Sequence, residues 1–113
     1  GGHFARHVRR MRELYRERQQ LLRDVLADSP AAGLQLSPGS AGLHLVAYLP
    51  AGHDEHALSA AAAREQVWLR PLARHYLGAP QQQGLVLGYA GVNDKAIRHG
   101  AAVLARLYAL QDP

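Results

Sequence analysis

The sequence contains no cysteine among its 113 residues, and this absence excludes several kinds of chemistry at once. Disulfide bonds, thiolate metal sites and cysteine nucleophiles all require a residue that the chain does not have. No apolar run approaches the roughly 20 residues of a membrane-spanning helix, and no signal-like apolar stretch stands at the N-terminus. We therefore expect a cytoplasmic protein without disulfides.

Sequence signatures of catalysis are also missing. There is no Gly-x-Ser-x-Gly nucleophile motif, and the turn at 37–40 lacks the lysine and glycine spacing of a phosphate-binding loop. His53–His56 contains two histidines but no third metal ligand at recognisable spacing, so we interpret Asp54 as a helix cap with surface histidines around it. Lys95, the single lysine, stands beside Asp94 at the start of a predicted helix, which favours a solvated side chain. We predict no catalytic residue and no metal site.

What the chain does contain is an ordinary globular composition with its net charge in one segment. Hydrophobic residues make up 48% and charged residues 19%, and the length fits one domain, 1–113, which we take as part of a longer protein. The formal net charge is +4, and the segment 3–26 alone has seven arginines against three acidic residues. The rest of the chain is neutral overall, so this basic segment needs its own explanation.

Apolar spacing predicts alternating helices and short strands. Segment 3–26 repeats apolar residues at three- and four-residue steps, which predicts a long amphipathic helix whose stripe partly faces something outside the chain. The other predicted elements are strands at 34–36, 42–49, 67–70 and 84–90 and helices at 54–65 and from Asn93 onward. Pro71 is expected to end the third strand, 74–83 to form an irregular loop, and Gly100 to mark close packing. The order predicts an α+β fold, with helices over a small, mainly antiparallel sheet.

Two of the strands have a predicted orientation. In the strand 42–49 one face is apolar and points to the core, and it consists of Leu43, Leu45, Ala47 and Leu49. His44 lies on the opposite, semi-polar face, where we expect a half-buried packing residue. The strand 84–90 is apolar nearly throughout, which predicts burial on both faces.

Several motifs in register resemble those of a known family. Residues 7–18 contain H-V-R-R-M-R followed by L-Y and R, residues 41–45 are A-G-L-H-L, and L-P follows at 49–50. Residues 67–76 stand where the family has G-V-x-V-x-P-x-x-x-[FY], and residues 87–90 are L-G-Y-A against its L-G-F-A. This pattern resembles MocR-type regulators, in which a GntR-like winged helix is fused to a fold-type-I aminotransferase-like domain. The resemblance covers nearly the whole chain and corresponds to the small C-terminal subdomain.

The resemblance implies a bacterial transcriptional regulator dependent on pyridoxal 5′-phosphate (PLP). In the intact protein PLP would be bound mainly by a large subdomain outside this chain. The resemblance also implies a homodimer, a small amino compound as effector, and contact with DNA only through the winged helix. This chain would sense the effector by shifting against the large subdomain, and it would carry out no catalysis.

Two positions depart from the family pattern. Aminotransferases of this fold have an arginine that binds the substrate α-carboxylate at the position of Val86, and a valine cannot hold a carboxylate. A family-typical glycine after Pro71 is replaced by Leu72. By resemblance, the segment around residues 70–76 approaches the cofactor cleft. The candidate effector-facing residues are therefore Arg70, Arg74, His75, Tyr76 and Val86, and the alternative is an exposed basic loop anchored by Tyr76.

The basic segment 3–26 has three open interpretations. It could be a solvated face that packs on the large subdomain, a contact with the DNA-binding module of another subunit, or a direct nucleic-acid contact. Glu13, Glu17 and Asp24 interleave with the arginines and no aromatic stacking platform adjoins them, which favours the first. For the chain as a whole, the alternatives are the substrate lid of a genuine PLP-dependent aminotransferase and an independent basic nucleic-acid-binding module.

Overall fold

The computed structural model describes residues 2–38, 44–75, 82–89 and 91–111, with residues 74 and 75 described by their backbone only. Within these ranges the helices are α1 (Gly2–Ala27), α2 (Glu55–Ala63) and α3 (Asp94–Leu110). The strands are β1 (Gln35–Leu36), β2 (His44–Tyr48), β3 (Leu69–Pro71) and β4 (Gly84–Gly88), and a 3-10 helix, Leu72–His75, follows β3 directly. None of the described helices is long and apolar enough to cross a membrane. The predicted α+β order is confirmed, while most of the predicted loop 74–83 lies outside the described residues.

The described strands form one antiparallel sheet in the order β1-β2-β4-β3. β2 and β4 pair over five residues, in the register that places His44 opposite Gly88. β3 pairs with the other side of β4 and places Arg70 opposite Val86. β1 and β3 are therefore the edge strands, and β4 lies between β2 and β3.

The inner face of the sheet packs against the helices. Alternate residues of three strands share this face and are all buried: Leu45, Ala47, Leu69, Leu85 and Leu87. The last turns of α1 and the inward side of α3 complete the same hydrophobic cluster. The predicted core face of β2 is confirmed by its described residues, and the predicted two-sided burial of β4 is confirmed for residues 84–87.

The third strand differs from the predicted segment 67–70. It runs Leu69–Pro71, because the residues before it complete the end of α2. Gln66 has a positive φ of 63°, and the amide groups of Gln66 and Val67 donate to carbonyls of the last turn of α2 in a Schellman arrangement. Pro71 is the last residue of the strand, which therefore ends where it was expected to end, and a proline fits there because an edge strand leaves part of its N–H groups outside the ladder.

A polar contact attaches α1 to the end of β4. The Gln19 side chain is buried, and its Nε2 donates to the hydroxyl of Tyr89 at 2.8 Å. One turn later, the Arg23 guanidinium donates to the carbonyl of Ser37, just after β1. These contacts lie in the second half of α1, where the helix meets the rest of the chain.

The cap of α2 is confirmed, but one histidine beside it is not at the surface. Asp54 Oδ1 accepts from two amide groups of the first helical turn. His53 is only 6% exposed, stacks on Tyr108 with ring centroids 4.5 Å apart, and places Nδ1 3.1 Å from Gln111 Oε1. The expectation of a surface histidine is wrong at His53, because this ring packs against the end of α3.

A buried carboxylate joins two separate parts of the chain. Glu55 is 2% exposed, and its Oε1 accepts from the amide of Ala73 at 3.2 Å while Oε2 accepts from the amide of Gly84 at 2.7 Å. The Glu55 amide donates to Gln83 Oε1 at 2.9 Å. Ala73 and Gly84 flank the segment 74–83, so one side chain holds both ends of that segment.

We expect Glu55→Gln to lower the free energy of unfolding by about 1–3 kcal/mol, because an amide supplies one acceptor oxygen where two N–H donors need partners. Urea unfolding followed by circular dichroism measures the change. Glu13→Gln, at an exposed position of α1, is the matched control and should leave the free energy of unfolding nearly unchanged. Equal effects of the two substitutions would contradict the role of Glu55.

The glycine that permits a close backbone approach is Gly84, not Gly100. A Cβ atom at Gly100 would lie 3.7 Å from Val67 Cγ1, which is an ordinary contact. A Cβ atom at Gly84 would lie 2.8 Å from the carbonyl oxygen of Ala47, on the neighbouring strand. The expectation of close packing at Gly100 is therefore wrong, since α3 leaves room there for a methyl group.

Gly100→Ala should raise the free energy of unfolding by up to about 1 kcal/mol, because alanine loses less backbone entropy in a helix than glycine does. Gly84→Ala adds the same methyl group against the backbone of β2 and should destabilise the fold. Paired urea titrations of the two variants test both statements. A destabilising Gly100→Ala would restore the close-packing interpretation.

Candidate functional site

The candidate site lies on the outer face of the sheet, the face opposite to the core. Side chains alternate along a strand and directly paired residues point the same way, so His44, Val46, Arg70 and Val86 share this face. Val86 is 5% exposed, yet it is not part of the main hydrophobic cluster formed with the helices. The outer face is therefore a second, smaller surface with its own chemistry.

Arg70 and His44 meet across β4. Arg70 Nη2 lies 2.8 Å from His44 Nε2, although the two residues belong to strands on opposite sides of β4. A guanidinium group only donates, so His44 Nε2 is the acceptor and the ring proton is assigned to Nδ1. Gly88 has no side chain to intervene, and a Cβ atom there would lie 3.8 Å from His44 Cδ2.

The charge of Arg70 is not neutralised within the described part of the chain. The carboxylate contacts with basic side chains found there join Glu55 to His56 and Glu65 to Arg106. Arg70 and His44 are both exposed, and the hydrogen bond to His44 uses one of the five N–H donors of the guanidinium. The Arg70 guanidinium is therefore an exposed positive charge with further N–H donors on the outer face.

A cavity of about 340 Å³ lies between α3 and the inner face of the sheet at β3 and β4. Its lining is mostly apolar and includes core residues such as Leu87, Ile97 and Leu104, and Arg70 also contributes to it. Trp68 also lines the cavity, although its side chain is 70% exposed. This volume is in the range of small-molecule sites, which combine an apolar wall with a few polar groups.

The predicted effector-facing residues have different outcomes. Arg70 and Val86 are direct partners across the β3–β4 pair. Arg74 and His75 lie in the 3-10 helix, where only their backbone is described, and Tyr76 lies outside the described residues. The structure therefore brings together two of the five candidates.

His44 is the site residue that the sequence did not indicate. The expectation of a half-buried packing residue is wrong, because His44 is exposed and hydrogen-bonded to Arg70. Its alternation with Leu45 correctly placed it on the outer face. The missing information was the strand order, which brings Arg70 to the same place from a position 26 residues away in the chain.

The described residues do not fit a PLP site on their own. Lys95, the single lysine of the chain, is exposed in the first turn of α3, whereas a lysine that binds a carbonyl cofactor works from a desolvated or otherwise activated setting. Among the described residues, no group of three histidine, aspartate or glutamate side chains could hold a metal ion.

The first half of α1 extends away from the rest of the described domain. The buried residues of the helix begin only at Gln19 and include Leu22 and Leu26. Phe4, at the other end of the apolar stripe, is 75% exposed. The arginines of this half are exposed as well: Arg6, Arg9, Arg10, Arg12 and Arg16. The expectation that part of the stripe faces something outside the chain agrees with this exposure.

Sequence comparison finds transcriptional regulators. The chain is 39% identical over 99 residues to "Probable rhizopine catabolism regulatory protein MocR" of Rhizobium meliloti, a match that covers 88% of this chain and 20% of that protein. It is 29% identical over 97 residues to the HTH-type pyridoxine biosynthesis transcriptional regulator PdxR of Corynebacterium glutamicum, covering 86% of this chain and 20% of the relative. The chain thus spans about a fifth of the length of these relatives. No model of a protein family matches it.

Structural comparison finds aminotransferases. The fold matches that of LysN, an α-aminoadipate aminotransferase from Thermus thermophilus, with a TM-score of 0.86 at 23% identity over 96% of this chain and 28% of that one. In both comparisons the chain matches only part of a longer protein, 20% of the regulator and 28% of the aminotransferase. The chain is a homologue of MocR/GntR-type transcriptional regulators, with the fold of the small C-terminal subdomain of a fold-type-I aminotransferase.

Proposed function

We propose that this chain is the effector-sensing part of a PLP-dependent bacterial transcriptional regulator and that it carries out no catalysis itself. Homology to regulators and the aminotransferase fold both support this proposal. The observation that carries it is Val86, which stands on the outer face where the resemblance places a carboxylate-binding arginine. Arg70 provides a positive charge on the neighbouring strand, so the surface keeps a means of binding while the enzyme's own clamp is missing.

The intact protein would have the remaining parts that this chain lacks. Relatives about five times as long supply the length for a winged-helix domain and a large aminotransferase-like subdomain. PLP is bound mainly by that large subdomain, in keeping with the solvated position of Lys95 here. The first half of α1 packs on the same subdomain, since Phe4 is 75% exposed and the apolar residues behind it, Val8 and Met11, are only partly buried. The working unit is a homodimer.

Effector sensing follows from a difference in affinity between two domain arrangements. A small amino compound held by the outer face of this sheet on one side and by the large subdomain on the other stabilises the closed arrangement. Only that differential affinity can change the binding of DNA, and a ligand held equally in both arrangements changes nothing. Arg74, His75 and Tyr76 belong to the proposed effector-facing segment together with Arg70 and Val86.

In the intact, PLP-loaded protein, an amino compound should change the dissociation constant for DNA by roughly 5- to 150-fold, the usual range for coupled sites. The measurement uses fluorescence anisotropy on a DNA fragment selected from random sequence, with a panel of amino compounds and a parallel assay for released keto acid. Protein without PLP is the control and should not respond. Steady release of keto acid would favour the alternative of an aminotransferase lid, and an unresponsive DNA affinity across the panel would contradict the regulator.

The exposed arginines of α1 keep a nucleic-acid-binding module as the second alternative. We expect this chain alone to bind DNA weakly and without sequence preference, with an affinity that falls steeply as salt rises, because scattered arginines contact only phosphates. Anisotropy titrations at several salt concentrations, with two unrelated DNA duplexes, test this. Tight, sequence-selective binding that persists at high salt would support the alternative instead.

A further inference from the structure

We infer that Arg70, held in position by His44, binds the carboxylate of a small amino compound on the outer face of the sheet and so replaces the arginine absent at Val86. The inference rests on the proposed function and deepens it, because it assigns a chemical class to the ligand. It also gives two residues different roles. Arg70 contacts the ligand, and His44 is a positioning residue that acts through Arg70.

The first argument is location. Arg70 and Val86 are direct partners in the β3–β4 register, so their side chains leave the sheet on the same face about 4.8 Å apart, the spacing of neighbouring strands. The contact with His44 on the far side of β4 means that the guanidinium lies over β4 itself. A guanidinium from the edge strand therefore reaches the strand on which the aminotransferase arginine would stand.

The second argument is the nature of the group that holds Arg70. A long arginine side chain on an edge strand has many rotamers, and a ligand that fixes it must offset that entropy. The hydrogen bond to His44 Nε2 fixes the guanidinium before any ligand arrives. The acceptor is a neutral imidazole rather than a carboxylate, so the positive charge is oriented without being neutralised, and four N–H donors stay available for a bidentate carboxylate contact.

The third argument concerns the rest of the ligand. Two apolar side chains, Val46 and Val86, share the outer face of the sheet with Arg70. Trp68 adds an exposed aromatic surface two residues before Arg70. A charged clamp next to an apolar wall fits a compound with a carboxylate at one end and an apolar body, such as an amino acid with an aliphatic or aromatic side chain.

The test compares ligands that differ only in the carboxylate. L-leucine with 3-methylbutylamine and L-phenylalanine with 2-phenylethylamine form two such pairs. Binding of all four to the intact, PLP-loaded protein is measured by calorimetry. We expect each amino acid to bind at least about tenfold more tightly than its amine, as one charge-assisted bidentate contact provides. No preference for the amino acids in the unsubstituted protein would overturn the inference.

Substitutions then assign the preference to these residues. Arg70→Gln should remove it by weakening the amino acids about tenfold while leaving the amines unchanged. Adding Val86→Arg to that variant should restore the preference, because it returns a guanidinium to the same face. Arg98→Gln, an exposed arginine of α3, is the charge-matched control and should keep it. An equal loss of amines and amino acids in Arg70→Gln would indicate damage to the fold and would overturn the role of Arg70.

The positioning role of His44 needs its own pair of variants. His44→Gln keeps an acceptor oxygen for Arg70 and should retain most of the preference, whereas His44→Leu should reduce it several-fold. Indistinguishable behaviour of the two variants would overturn that role. DNA affinity measured on the same samples separates this inference from the proposed function. An Arg70-dependent preference without any DNA response refutes the function alone, and a DNA response that is independent of Arg70 refutes the inference alone.

Discussion

The five-residue pairing of β2 with β4 is the constraint on which the rest of the structure depends. A shift of one residue would exchange the two faces of the sheet, because side chains alternate along each strand. In the observed register Leu45 and Leu87 meet under the helices, and both are almost completely buried. The same register leaves His44 on the outer face above Gly88. The register of β2 and β4 thus determines both which residues form the core and which residues form the candidate site.

Buried polar groups attach the remaining segments to this sheet. Glu55 receives amide hydrogen bonds from both ends of the segment 74–83, and it reaches them from the first turn of α2. Such a carboxylate is tolerated in the interior because the N–H groups satisfy it, and those N–H groups would otherwise be buried without partners. Gln19 attaches α1 to Tyr89 in a similar way. Whatever contacts the first half of α1 is therefore connected to the end of β4 by a single helix.

The order of the helices and strands could be predicted because it depends on short-range sequence patterns. The pairing of the strands within the sheet could not be predicted from such patterns. Apolar periodicity and the caps at Asp54 and Asn93 depend on residues a few positions apart, and both caps are present in the structure. The predicted start of β3 at residue 67 is wrong because Gln66 takes a left-handed conformation usually given to glycine, which extends the end of α2. The order β2-β4-β3, which brings Arg70 to His44, follows from long-range packing that no local pattern encodes.

The proposed function depends on a positive charge that stands on a different strand from the arginine that the resemblance places at Val86. An arginine on β4 would belong to a well-constrained backbone, because β4 is hydrogen-bonded to a strand on each side. Arg70 belongs to the edge strand β3, whose backbone is paired on one side only and is less constrained. The position of its guanidinium therefore depends on the hydrogen bond to His44. The position of the guanidinium is then set by the hydrogen bond to His44 rather than by the strand backbone alone. A sensor needs a difference in ligand affinity between two domain arrangements, and a guanidinium held by a hydrogen-bond partner contributes to that difference when only one arrangement brings the ligand to it.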